Sequence, residues 1–224
     1  MSDAHVRVTV VSDYICPWCY VGMARVERLQ REFEIDVEWR PFELHPEIPP
    51  EGIARGERPP SPQRVAMYEQ LRGLAQEAGL PFERPGRVPN SHRALEAAEF
   101  AREHGAFDAY HHALFDAFFG QGRDIGDIDV LAEIAASNGL DPRALREALE
   151  TQRYAALVDE RTAEARASGV TGTPTVIFEE GERRFPVAGA QDYAVFEHIA
   201  QRFGAVRRSA NEGMVPTARP GSRF

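Results

Sequence analysis

Residues 5–11 (HVRVTVV) form a β-branched apolar run that predicts a buried strand, closed by Ser12-Asp13. Pro17 follows where a first helical turn accepts it, because its missing N–H has no helical partner to lose there. Val21, Met23, Val26, Leu29 and Phe33 then recur at helical spacing. Residues 35–44 (IDVEWRPFEL) predict a second strand with Ile35, Val37 and Trp39 on one face. A β-α-β unit is thus complete, and a parallel strand pair needs such a crossover.

Residues 45–62 are dense in Pro and Gly and predict a long loop without regular structure. The pattern then turns helical, with helices expected at about 62–79, 91–104, 107–119, 127–138, 142–151 and 153–168. Asn90 or Ser91 and Asp141-Pro142 read as helix starts, and Gly169 falls just past a helix end. Strand character returns at 175–179, Gly181 turns the chain, and 184–187 is the expected hairpin partner. Residues 192–203 predict a last helix, and the tail 206–224 has little to bury and is expected to be loosely ordered. The order β-α-β, helical block, β-β-α defines an α/β chain with one mixed sheet. On this pattern 1–46 and 170–205 make the sheet domain, and 47–169 is an all-helical insertion.

The 224 residues are 43% hydrophobic and 27% charged, enough for a core that needs no disulfide staple or metal. A formal net charge of −9 argues against a nucleic-acid partner, since phosphate attraction needs clustered cations. No apolar run approaches the ~20 residues of a membrane span. The polar first residues and the short run behind them do not read as a secretory signal. A cytoplasmic protein is expected, in a compartment where thiols stay reduced.

That expectation bears on the only two cysteines, Cys16 and Cys19, which frame Pro17 and Trp18. A C-x-x-C pair between a strand and a helix places its first sulfur near the unpaired N–H groups of the helix start. Those groups favour a thiolate, the species that attacks a disulfide, so Cys16 is the candidate nucleophile and Cys19 the resolving thiol. Competing readings are a structural disulfide, half a zinc site and chance proximity. So short a loop stabilises little, and the seven histidines form no second ligand pair of suitable spacing. Immediately before the late strand stands Gly172-Thr173-Pro174-Thr175, where Pro174 either just begins the strand or, in a thioredoxin-like fold, is cis and presents the Thr173 backbone beside the cysteines.

Three stretches together resemble the DsbA-like thioredoxin family, and within it the cytoplasmic FrnE-type branch: Ser12-Asp13-Tyr14-Ile15-Cys16-Pro17-Trp18-Cys19-Tyr20, Trp39-Arg40-Pro41-Phe42-Glu43-Leu44, and Gly172-Thr173-Pro174-Thr175. The resemblance covers nearly the whole chain except the tail and implies a thioredoxin-like fold with a helical insertion. It also implies disulfide exchange through a redox-active Cys16–Cys19 pair. The same family includes 2-hydroxychromene-2-carboxylate isomerases and kappa-class glutathione transferases, which characteristically carry Ser where this chain has Cys16. Keeping both cysteines favours redox chemistry over glutathione activation.

Pro17, Trp18, Thr173 and Pro174 are the expected substrate contacts. Asp13 either relays a proton for a buried thiol or merely ends the strand. Asn90-Ser91-His92 resembles a segment near the glutathione site of the isomerase relatives, although helix capping explains Asn90 and Ser91 as well. His111 and His112 cannot share a helix face and are expected at the surface; Arg40 is expected to pair with an acidic neighbour. The expected partners are a disulfide-containing protein or a small-molecule thiol, with glutathione as a candidate co-substrate and a homodimer among the candidate assemblies. No tightly bound cofactor and no metal are expected. A redox-sensing or chaperone-like binding module is the reading outside enzymes.

Overall fold

The computed structural model describes residues 5–56 and 61–209. Strand β1 (Val6–Ser12) is central in a four-stranded sheet of order β2-β1-β5-β6. It runs parallel to β2 (Ile35–Pro41), with Val6 opposite Ile35 and Ser12 opposite Pro41. On its other side it runs antiparallel to β5 (Thr175–Glu180), which forms a hairpin with β6 (Arg183–Ala188). Gly181, at φ 58°, takes the left-handed conformation that so short a turn requires.

The period-2 alternation of β1 separates its two faces. Val6, Val8 and Val10 pack with Val26 and Leu29 of α1 (Pro17–Glu32) and with Phe196 and Ala200 of α8 (Tyr193–Arg202). Val11 points the other way, into a cluster with Phe42, Val170 and Ile177, against which Ala165 of α7 (Ala155–Ala167) packs.

Between β2 and β5 lie helices α2 (Pro62–Glu77), α3 (His92–Glu103), α4 (Phe107–Phe115), α5 (Ile128–Ser137), α6 (Pro142–Glu150) and α7. A π turn, Asp116–Gly120, continues α4 and buries Phe118 and Phe119. Helix starts follow local chemistry: Ser61 Oγ accepts from Arg64 N, and Asp141 Oδ1 from Arg143 N. The block shares its largest apolar cluster with the strand–helix junction, because Tyr14, Ile15, Cys16, Cys19 and Tyr20 are buried among Leu95, Leu114 and Phe115.

Two expectations are corrected. The loop after residue 45 holds a two-residue strand, β3 (Ile53–Ala54), paired with β4 (Arg87–Val88) as a small ribbon. Two residues are too short for a periodicity to show. The start of the tail is also docked: Glu34 N donates to Val206 O, Arg208 N donates to Glu32 O, and Arg207 pairs with Glu32 and Glu197. The rest of that expectation, from residue 210 on, lies outside the described residues. Among the described residues no helix is long and apolar enough to cross a membrane.

Candidate active site

Cys16 is the last extended residue before α1, and Pro17 opens the helix. Its backbone is held by Cys16 N donating to Asp13 O at 3.2 Å, while its own carbonyl accepts from Cys19 N at 3.0 Å and Tyr20 N at 3.3 Å. Both thiols are free and buried, but only Cys16 lines the adjoining groove; Cys19 lies behind it, 1% exposed.

The Thr173–Pro174 peptide is cis, and Cys16 Sγ donates to Thr173 O at 3.3 Å. The residue at 173 also offers its hydroxyl, which is buried and lacks a hydrogen-bond partner while Cys16 is a thiol. The Cys16 thiol is held below its ordinary value of 9.0, first by hydrogen bonding from the Cys19 thiol and then by the Thr173 hydroxyl and Cys19 N–H; burial and the negative charge of Asp13 oppose this. Cys19 moves the other way, well above the ordinary thiol value, because of burial first and its bond to Cys16 second. The Ser12 hydroxyl, another buried and unpartnered donor, favours its ionisation only weakly against these.

Asp13 is buried beneath the motif. Its Oδ2 accepts from Leu44 N at 2.8 Å and Ser91 Oγ at 3.1 Å, and its Oδ1 from Ile15 N at 3.2 Å. Burial pushes its carboxyl from the ordinary 3.8 up to about 6, against the lowering effect of those three bonds; repulsion from Glu43 adds to the rise. The Ile15 bond is the local turn that ends the strand, and the other two are long-range.

The groove has a volume of about 870 Å³. Cys16, Pro17, Trp18 and Thr173 line it together with Arg55, Arg64, Met67, Tyr68 and Arg84. The ribbon positions Arg55, whose backbone N–H donates to Gly86 O at 3.0 Å. The guanidiniums of Arg55 and Arg84 lie over the Tyr68 ring at 5.6 and 5.2 Å from its centre, and Arg55 Nε has no hydrogen-bond partner. Among the described lining residues there is no carboxylate, although the chain carries a net charge of −9.

Asn90 and Ser91, expected as glutathione contacts, do not line this groove. Ser91 is 1% exposed and bound to Asp13, while Asn90 donates to Ile48 O at 2.7 Å and accepts from His92 N at 2.9 Å. Neither side chain is free for a ligand beside Cys16. His111 is corrected as well. It is 3% exposed, with Nδ1 at 2.8 Å from Tyr14 Oη, and burial first, then the charges of His112 and Arg102, hold it well below the ordinary imidazole value. His112 does face outward and pairs with Glu27 at 2.6 Å, and Arg40 pairs with Glu38 at 2.9 Å. The arginine wall had no signal in the sequence, because Arg55, Arg64 and Arg84 converge only through the fold.

A parallel β-α-β joined to an antiparallel hairpin, a dithiol at the helix start and a cis-proline beside it define a thioredoxin-fold dithiol protein. The chain belongs to the DSBA-like thioredoxin domain family, whose model matches residues 7–201. The Bacillus subtilis (strain 168) protein YwbO is 33% identical over 196 residues, covering 86% of this chain and 94% of YwbO. The crystal structure of the probable DsbA oxidoreductase SCO1869 from Streptomyces coelicolor is similar at a TM-score of 0.79 and 29% identity, over 89% of this chain and 91% of that one. A 2-hydroxychromene-2-carboxylate isomerase shares the fold at a TM-score of 0.71 and 22% identity, over 88% of this chain and 95% of that one.

Proposed function

We propose that this chain is a thiol–disulfide oxidoreductase in which Cys16 attacks and Cys19 resolves. The observation that supports it most is the asymmetry of the pair: the lowered thiol lines the groove, and the raised one lies behind it. The Cys16 thiolate forms a bond to one sulfur of a substrate disulfide, whose S–S bond breaks, and the leaving thiolate takes up a proton. Cys19 then gives its proton to Asp13 and attacks Cys16. The second substrate thiol leaves, and the protein is oxidised to a Cys16–Cys19 disulfide while the substrate gains two electrons; the reverse sequence oxidises a dithiol. A carboxyl near 6 is suited to accepting and returning that proton at neutral pH.

Pro17, Trp18, Thr173 and Pro174 are the proposed substrate contacts. The arginine wall favours a partner whose disulfide stands near carboxylates, as in glutathione disulfide or an acidic stretch of protein. This reading places the protein in a reducing compartment such as the cytoplasm. The same wall gives a second reading some support, a glutathione-dependent isomerase or transferase.

Incubation with glutathione disulfide and with a protein disulfide separates the readings. Cys19→Ser should trap a mixed disulfide through Cys16, and Cys16→Ser should trap none and lose turnover. Turnover surviving in Cys16→Ser would favour the isomerase or transferase.

A further inference from the structure

We propose that Glu43, His92 and Asp159, with Glu96 beside them, form a binding site for a divalent first-row transition-metal ion outside the dithiol groove. The residues come from three segments. Glu43 follows β2, His92 and Glu96 are one turn apart on α3, and Asp159 is on α7. One ligand atom each from Glu43, His92 and Asp159 lie within 4.8 Å of one another. An ion with bonds of about 2.0–2.6 Å draws its ligands into that range.

His92 Nδ1 is 3.2 Å from Glu43 Oε2, and His92 Nε2 is 3.8 Å from Glu96 Oε1. Glu96 adds an observation of a different kind. It is 2% exposed and lines the same cavity of about 490 Å³ as Glu43 and His92. The Tyr154 backbone N–H and the His92 imidazole stand near its carboxyl, yet its buried Oε2 makes no well-formed hydrogen bond. A buried, unpaired carboxylate oxygen is costly and calls for a cation or a bound water.

Three carboxylates surround one imidazole here, an excess of negative charge. The other charged residues on the cavity wall are Arg93, whose Nη1 donates to Gly126 O at 3.4 Å, and Glu150. Mixed imidazole and carboxylate donors suit zinc or manganese better than calcium or magnesium. Asp159 is exposed, so the site opens to solvent and water completes the coordination. Sequence spacing misses this set because its members meet only in the fold. Ser91 and Leu44, which hold Asp13, are the chain neighbours of His92 and Glu43, so a bound ion would brace the frame around Asp13.

The test uses full-length protein, stripped with chelator and oxidised at Cys16–Cys19 so that the thiols cannot bind metal. Titration with Zn²⁺, and separately with Mn²⁺, should show one saturable equivalent by calorimetry and a melting temperature that rises with metal concentration. Asp159→Asn, at an exposed position, and His92→Gln, checked for folding by circular dichroism, should each weaken binding by at least about tenfold. Glu150→Gln should bind as the parent does. No saturable binding to the parent protein would overturn the proposal, as would binding unchanged in both Asp159→Asn and His92→Gln. Binding lost equally in Glu150→Gln would overturn this assignment of ligands.

Discussion

Ser91 stands at the N-terminus of α3, yet its hydroxyl donates to Asp13 Oδ2 at 3.1 Å and makes no cap bond to its own helix. The capping duty passes to Asn90, whose Oδ1 accepts from His92 N. A residue type preferred for local reasons is thus diverted to a carboxylate 78 positions away. That bond keeps Asp13 from rising as far as burial alone would take it. Ser91→Ala should therefore raise the Asp13 pKa above about 6. A ¹³C carboxyl titration would check this, and an unchanged midpoint would refute the coupling.

Asp13 also makes stability depend on pH. Its folded pKa is raised from 3.8 to about 6, so between those values the folded chain binds more protons than the unfolded one. Stability associated with this group is present below 3.8 and is lost as pH rises through about 6. A shift of this size corresponds to about 3 kcal/mol, as an order of magnitude. Chemical denaturation of the reduced protein should show this loss between about pH 3.8 and 6, and Asp13→Asn should flatten it. An equal slope in the variant would mean that another group titrates.

The two sulfurs should differ in alkylation. A short pulse of iodoacetamide at mildly acidic pH should label Cys16 and spare Cys19, read by peptide mass spectrometry. Thr173→Val removes the hydroxyl donor and keeps the carbonyl that faces Cys16, so the pH profile of labelling should move upward; Thr173→Ser should restore it. Equal labelling of both cysteines would contradict the assigned roles.

The sequence pattern revealed the strand–motif–helix junction because its signals are local: an apolar run, Pro17 at the helix start, and two cysteines one turn apart. Most helices were legible for the same reason, through caps such as Asp141 and the spacing of their apolar faces. What could not be read were pairings made by the fold. Ser91 carried the signature of a cap, and His111 looked like half of an exposed pair until α4 turned it onto Tyr14, 97 positions away. One member of the groove's cationic wall, Arg55, is held by a ribbon of two residues per strand, which has no period to detect.

Tyr14→Phe isolates the second of those pairings. It keeps the ring packed near Phe115 but leaves His111 Nδ1 without its partner. A buried polar atom stripped of its bond costs about 1–3 kcal/mol. Denaturant midpoints should fall accordingly, with little change in the Cys16 labelling profile. A large change in that profile would mean that the pair also sets the geometry of the motif.

The arginine wall makes the most direct claim on substrate choice. Arg55, Arg64 and Arg84 line a groove in which no described lining residue is a carboxylate, and Arg64 and Arg84 are exposed. Exposed charges act over roughly a Debye length, about 8 Å at physiological salt, so they steer and hold an anionic partner without changing the sulfur chemistry. Replacing Arg64 and Arg84 by Gln should therefore raise KM for glutathione disulfide, which carries carboxylates. For an uncharged disulfide such as bis(2-hydroxyethyl) disulfide, KM should be unaltered, and kcat should stay near the parent value for both. Adding salt should weaken glutathione disulfide turnover in the parent protein and have much less effect in the double variant. Equal losses on both substrates would mean that the arginines support the groove's shape, and no loss on either would remove charge from the account of specificity.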